Sequence, residues 1–342
     1  MAEIKTYQYY LDEACKQKLP WDCLIDANVL ITGATGLIGS CLIDLLMNSS
    51  IKGVNVYAAG RNAKRASMRF AKYLNDERFH FLQYDVTQPL DVDVTFDYVI
   101  HAASNASPNF FKQTPVEVIA SNIYGVDNLL KYGMKHAMRR FLYVSTGEVY
   151  GEGDGRVFTE DYSGYIDCTN PRSCYPSSKR AAETLCAAYI AEYGIDAVIV
   201  RPSHTYGPYF TESDNRVYAQ FIRNVLNNED IIMKSRGEQY RSWCFVVDSA
   251  LAILYVLLCG EVGEAYNIAD SRSNISIRQL AEMIARIGGK NVVMQIHEGT
   301  DDNKIITKAV FDTSKLEQLG WHIEDDMQTK LIATINEMKL KK

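Results

Sequence analysis

Residues 29–40 read VLITGATGLIGS. The opening apolar run predicts a strand, and residues 37–47 carry helical periodicity, so Gly33, Gly36 and Gly39 fall at the turn between the two. Glycine has a separate job at each position. It allows the tight turn, the close approach of backbone to a pyrophosphate, and the contact of helix on strand. The start of the helix presents unpaired N–H groups and the positive end of its dipole to phosphate oxygens. The segment therefore reads as the phosphate arm of a nicotinamide dinucleotide site, made by Gly33, Thr35, Gly36, Leu37, Ile38 and Gly39.

Outward from this segment, short apolar runs at 54–58, 79–82, 98–101, 141–145 and 197–201 predict further strands. Amphipathic stretches at 63–74, 115–136 and 175–193 predict the helices between them. Strands alternating with helices imply βαβ units, right-handed crossovers and a Rossmann-type, doubly wound parallel α/β sheet. The expected organisation is an N-terminal helical extension over 1–26, packed on the sheet or on a neighbouring subunit. A dinucleotide-binding domain covers 27–203, and a smaller, mixed substrate-binding region covers 204–342, with a possible return of one strand and one helix to the sheet. In that last region the pattern breaks into Pro- and Gly-marked pieces, with a segment at 216–226, a short strand near 231–233 and a polar loop at 235–242.

The chain has 342 residues, 47% of them hydrophobic and 23% charged, enough for a large core. Its net charge of -6 gives no basic surface for nucleic acid. The first residues lack a basic stretch followed by an apolar core, and the longest apolar run, 251–259, suits a buried helix rather than a membrane span. The expectation is a cytoplasmic protein. Its eight cysteines are scattered without a CxxC pair, which predicts reduced thiols, and no metal site is expected.

An acid at the end of the second strand would hold the adenosine ribose of NAD. Here the sequence is YAAGRNAKR, with Arg61 followed by Lys64 and Arg65. A cation there suits the 2′-phosphate of NADP; an exposed arginine at a helix start is the plainer reading, and NAD and NADP both stay open. Asp85 and Val86, after the third strand, are placed near the adenine. His101, Ala102 and Ala103 close the fourth strand against the cofactor.

Tyr175 and Lys179 lie four apart near a helix start, on one face. A phenol with a pKa near about 10 is a poor base at neutral pH unless a nearby cation lowers it. Thr146, at a hydroxyl-rich strand end, precedes this pair in the chain.

These pieces resemble the extended short-chain dehydrogenase/reductase family of sugar-nucleotide epimerases, dehydratases and decarboxylases. The resemblance runs from about residue 27 to 336. It rests on GATGLIG, HAAS, SNIYG, VSTGEVYG, YPSSK, RPSHTYGP, QYRSWCFVVD, AYNIAD and DTSKLEQLGW. It implies that Tyr175 takes the proton of the sugar 4-hydroxyl as hydride leaves C4, that Thr146 bonds that oxygen, and that Lys179 holds the nicotinamide ribose. It also implies that Asn122 supports the helix behind Lys179, that Arg201 lies at the cofactor, and that Arg241 binds the pyrophosphate of the sugar nucleotide. A homodimer through a four-helix contact is a family expectation.

Glu148, in Thr146-Gly147-Glu148, resembles the Thr-x-Glu of UDP-glucuronate decarboxylases. The dTDP-glucose dehydratases carry Asp where this chain has Gly147. The run through Ser107, Lys112, Pro115, Ile119 and Asn122, together with NPRSCYPSSKRAAETL and the region of Arg216, also resembles the decarboxylases. Ser107, Glu148, His204, Arg216 and Arg241 are therefore the expected substrate contacts. His204 departs from the family, where Asn stands; it reads either as a substituted contact or added acid/base group, or as a packed loop histidine. Decarboxylation of UDP-glucuronate through a 4-keto sugar is the leading expectation. Alternatives are a 4-epimerase, a 4,6-dehydratase, an NADP-dependent reductase of a nucleotide-linked sugar or alditol and, outside enzymes, a dinucleotide sensor.

Overall fold

A computed structural model describes residues 5–212, 214–296 and 308–340. Seven parallel strands form the central sheet. They are β1 (Asn28–Thr32), β2 (Asn55–Gly60), β3 (Phe79–Gln83), β4 (Tyr98–His101), β5 (Arg140–Val144), β6 (Ala197–Pro202) and a late strand, Ala265–Ile268. Across the sheet they run late strand, β6, β5, β4, β1, β2, β3. The order reverses beside β1, which is where a doubly wound sheet opens a crevice at its strand ends.

The helices are α1 (Tyr7–Cys15), α2 (Leu37–Asn48), α3 (Ala63–Arg69), α4 (Pro108–Gln113), α5 (Pro115–Lys135), α6 (Cys174–Tyr193), α7 (Val217–Leu226), α8 (Val246–Cys259), α9 (Ile277–Gly288), α10 (Ser314–Glu317) and α11 (Met327–Lys339). Alternation along β1 divides the core. Val29 and Ile31 face α2 and α8, whereas Leu30 joins Val99, Phe141 and Tyr143 beneath α5 and α6. β1 is apolar on both sides because both sides are covered. The chain returns to this sheet beyond residue 203: α8 packs on α2, and the late strand pairs with β6. α1 packs on α2 and α8, where the Tyr7 hydroxyl donates to the buried Asp44 at 2.9 Å.

The expected helix over 63–74 stops at Arg69 and continues as a single 3-10 turn, Ala71–Tyr73. Phe70 leaves helical geometry to bury its ring, and Arg69 and the Tyr73 hydroxyl both turn inward to Asp44.

Two smaller sheets stand over the crevice. One joins β7 (His204–Tyr206) and β9 (Tyr240–Phe245) to Asp270–Ser276 and Lys308–Ala309; the other pairs β8 (Ile231–Met233) with Val292–Met294. Among the described residues no helix is long and apolar enough to cross a membrane.

Candidate active site

The ends of β1, β2, β4, β5 and β6, together with β7 and β9, surround a cleft of about 1000 Å³. One arm runs along the glycine turn. Gly33 has φ +68°, and a Cβ there would lie 2.6 Å from the Ala102 carbonyl oxygen. A Cβ on Gly39 would lie 2.4 Å from the Gly33 carbonyl oxygen, so side chains are excluded by backbone at both positions. Gly36 caps α2, whose first N–H groups face the cleft with Thr35, Leu37 and Ile38 along its wall. This cradle fits a dinucleotide pyrophosphate. Arg61, Asp85, Val86, Ala102 and Ala103 also line the arm. The Asp85 carboxylate accepts from both the N–H and the hydroxyl of Thr87, at 3.0 and 2.9 Å. At the far end Arg65 donates to the Thr35 carbonyl at 2.8 Å, which fixes a second guanidinium beside Arg61.

The other arm holds the reactive groups. Thr146 lies just beyond β5, its hydroxyl accepts from the Glu148 N–H at 3.2 Å, and it stands close enough to the Tyr175 phenol to favour its ionised form. Lys179, one turn along α6, donates to the Val144 carbonyl at 2.8 Å, with its nitrogen 5.9 Å from the Tyr175 ring centre. Burial pushes the Lys179 ammonium down to about 7, against the pull of Glu183. Burial, then the Glu148 charge, push the Tyr175 phenol above its ordinary value, while Thr146, Arg216 and Arg172 pull it down. Lys179 thus holds the phenol's surroundings by geometry, and its own charge is near its midpoint at neutral pH.

Glu148, Ser107, His204, Arg216 and Arg241 all line this arm. Glu148 pairs with Arg172 at 2.9 Å. The Ser107 hydroxyl donates to Asn215 at 3.0 Å. Arg216 is clamped by Asp214, with Nε 2.9 Å from one carboxylate oxygen. Arg241 has no carboxylate within ion-pair distance among the described residues, and burial pushes its pKa down while Glu148 pushes it up. A desolvated guanidinium with no ion-pair partner is an anion site. His204 opens onto the cleft with its ring 5.1 Å from that of Trp243. Desolvation in the cleft, then the Arg241 and Arg216 charges, push it below its ordinary value.

Three residues expected at the cofactor do not line the cleft. Arg201 turns away from it: its guanidinium pairs with Glu183 at 2.7 Å and donates to the Glu160 carbonyl at 2.6 Å. His101 is fully buried behind Ala102, with Nδ1 2.7 Å from the Thr32 hydroxyl. Asn122 is also buried; it accepts from Ser104 at 2.8 Å and donates to Ser178 at 2.9 Å, so it ties α5 to α6 behind Lys179.

The sequence reading missed Phe311. This ring lines the cleft, and its tip would lie 2.0 Å from a Cβ on Gly147. It also missed Asp214 and Arg172, which hold Arg216 and Glu148. Both lie close in sequence to motif residues, and a search for partners of the predicted cleft charges could have found them.

The family model of the NAD-dependent epimerase/dehydratase family matches residues 29–269. A UDP-glucuronic acid decarboxylase of Arabidopsis thaliana is 34% identical over 293 residues, covering 86% of this chain and 83% of that protein. The UDP-glucose 4-epimerase of Thermotoga maritima superposes with a TM-score of 0.77 at 24% identity, covering 92% of this chain and 99% of that one. The dTDP-glucose 4,6-dehydratase of Bacillus anthracis, solved in complex with NAD, gives 0.78 at 21% identity, covering 92% and 97%. At these identities the solved structures speak to the fold alone.

Proposed function

The chain belongs to the NAD-dependent epimerase/dehydratase family, and from that premise we propose that it decarboxylates UDP-glucuronate through a 4-keto sugar. One observation carries the reading. Glu148 is the carboxylate beside Tyr175 and Thr146, an open guanidinium, Arg241, shares its cleft, and Phe311 fills the space beside Gly147 where a second acid would stand.

A nicotinamide dinucleotide, when bound, supplies the hydride acceptor and returns the hydride at the end. Gly33, Gly36, Gly39 and the start of α2 would hold its pyrophosphate, and Lys179 would hold its nicotinamide ribose. Tyr175 takes the proton of the 4-hydroxyl, and Thr146 bonds the same oxygen. The ketone at C4 then lies β to the C6 carboxylate. Breaking the C5–C6 bond releases CO2 and leaves its electron pair in an enolate, whose oxygen the Thr146 and Tyr175 hydroxyls stabilise. Protonation at C5 gives the 4-keto pentose. Glu148 positions the sugar, while Arg241 and the clamped Arg216 bind the pyrophosphate. His204 is suited to a hydrogen bond to the sugar nucleotide, in place of an amide.

The ribose end of the dinucleotide arm favours a 2′-phosphate. Arg61 and the pinned Arg65 line it, and no carboxylate pairs with either among the described residues. NADP is expected to bind more tightly than NAD in a direct titration, and Arg61→Ala to remove the preference. Val116, Ile119 and Tyr124 of α5 are exposed apolar residues, which supports pairing of two copies through α5 and α6; sedimentation measures it. Eight free thiols support a reducing, cytoplasmic setting.

The test is incubation with UDP-, dTDP-, GDP- and CDP-sugars and mass analysis of the products. Loss of CO2 from UDP-glucuronate supports the reading. Loss of water or a mass-neutral isomer from another sugar nucleotide instead would assign dehydration or epimerisation.

A further inference from the structure

Arg172 does not line the cleft, yet it touches both sides of the reactive arm. Its guanidinium donates to Glu148 at 2.9 Å, and the Cζ of the same group lies 4.6 Å from the centre of the Phe111 ring. Phe111 in turn stacks on the Tyr175 ring, with centroids 4.6 Å apart and planes 20° from parallel. Phe111 and Tyr175 are both buried; Arg172 is nearly half exposed. We propose that Arg172 is a positioning residue that locks Glu148 and the Tyr175 ring into one fixed arrangement, through one guanidinium that bonds the carboxylate and lies over the Phe111 ring stacked on Tyr175. The inference rests on the reading of Tyr175 and Glu148 as reactive groups.

The physical case lies in the shape of the group. An exposed ion pair by itself contributes little, because solvent screens it and both side chains lose freedom. Here one guanidinium has two partners, a carboxylate and a ring, and each contact restrains it for the other. The packing chain then runs without a break from Glu148 through Arg172 and Phe111 to Tyr175. Arg172 comes from the 3-10 turn Pro171–Ser173 immediately before α6, and the Asn170 side chain caps that turn. Phe111 comes from α4, and Glu148 from the 3-10 turn after β5. Three separate segments are therefore referenced to one side chain. A lysine would keep the charge but lose the planar face, so the two substitutions separate the contacts.

Arg172 also sets the charges around the phenol. The groups that act on Tyr175 are Glu148, Arg172, Arg216 and Thr146, with Lys179 at 5.9 Å from the ring. Glu148 faces Arg172 and Arg241. Loss of Arg172 removes a cation and frees the opposing carboxylate. Tyr175 then becomes harder to ionise, and the acid limb of kcat/KM moves to higher pH, by roughly half a unit to one unit for one charge at this separation.

The experiment compares the intact protein with Arg172→Ala, Arg172→Lys and Tyr175→Phe, using UDP-glucuronate as substrate and the dinucleotide Kd as a control. Arg172→Ala is expected to lower kcat about tenfold, a misorientation effect, to shift the acid limb upward, and to leave the dinucleotide Kd unchanged. Arg172→Lys is expected to restore the limb but not kcat. If Arg172→Ala keeps the kcat and pH profile of the parent while Tyr175→Phe is inactive, the positioning role is overturned and the site reading stands. A fully active Tyr175→Phe overturns the site reading and the inference with it. A lower kcat for Arg172→Ala with an unmoved pH limb and full rescue by lysine overturns the stacking half of the proposal.

Discussion

Replacing Gly147 by alanine adds one methyl group at the most crowded point of the cleft wall. That Cβ would lie 2.0 Å from Cζ of Phe311 and 2.7 Å from its Cε2. Ordinary carbon contacts sit at about 3.5–4.0 Å, so the ring must retreat by roughly 1.5 Å. It has little room, because it is buried and packs edge-on against Tyr150, with centroids 5.5 Å apart, and against Phe158 at 6.0 Å. Overpacking of this kind costs about 1–3 kcal/mol, and disturbing an aromatic pair adds about 0.5–1.5 kcal/mol. The expected loss is therefore about 2–3 kcal/mol, or a fall in Tm of roughly 3–4 °C for a chain of this length. Thermal unfolding of Gly147→Ala, Phe311→Leu and the double variant measures it. The double variant should be more stable than the sum of the single losses by at least ~1 kcal/mol, the signature of two residues competing for one space. If Gly147→Ala melts with the parent, or the losses simply add, Phe311 does not close this wall. The argument against a second acid beside Glu148 then fails as well.

Other consequences are as direct. Arg201→Met should lower stability by about 2–3 kcal/mol by leaving the partly buried Glu183 without its partner, while the dinucleotide Kd measured by titration stays the same. Lys179→Met should abolish turnover yet gain stability relative to the parent as pH falls. The folded protein holds the Lys179 pKa near 7, well below its ordinary value, so the parent's penalty grows downward from the unfolded pKa and is complete below the folded one. Denaturant titrations at about pH 10 and about pH 6 should show the difference between variant and parent improving by roughly 2–4 kcal/mol. His204→Asn should retain turnover and change mainly KM for the sugar nucleotide, because a ring whose protonation the Arg241 and Arg216 charges oppose acts as a hydrogen-bonding partner rather than a proton carrier. A collapse of kcat with KM unchanged would contradict that assignment.

Local geometry accounts for the features legible in the sequence. The glycines at 33 and 39 are read from a strand–turn–helix pattern; Gly33 has the positive φ the turn requires, and Gly39 is excluded from carrying a side chain by backbone of the same turn. Tyr175 and Lys179 share a face because helical spacing requires it. The parallel order of the sheet comes from strands alternating with helices. The illegible features depend on partners distant in the chain. Arg201 stands at the end of β6, where cofactor contacts are expected, but Glu183 on α6 takes its charge away from the cleft. His101 differs from Ala102 by one residue, and the pleat alone sends its side chain behind the strand toward Thr32. Phe311 meets Gly147 only because a strand beyond residue 307 folds back beside β9. Asp214 and Arg172 fix the cleft's own charges, and neither carries a motif of its own.

The most direct test of the account is carbon balance on UDP-glucuronate with substoichiometric protein. The account expects one CO2 released for each UDP-pentose formed, no net accumulation of reduced dinucleotide, and no product with Tyr175→Phe. Reduced dinucleotide accumulating in step with product would contradict it, as would turnover of another sugar nucleotide with all its carbon retained while UDP-glucuronate is untouched.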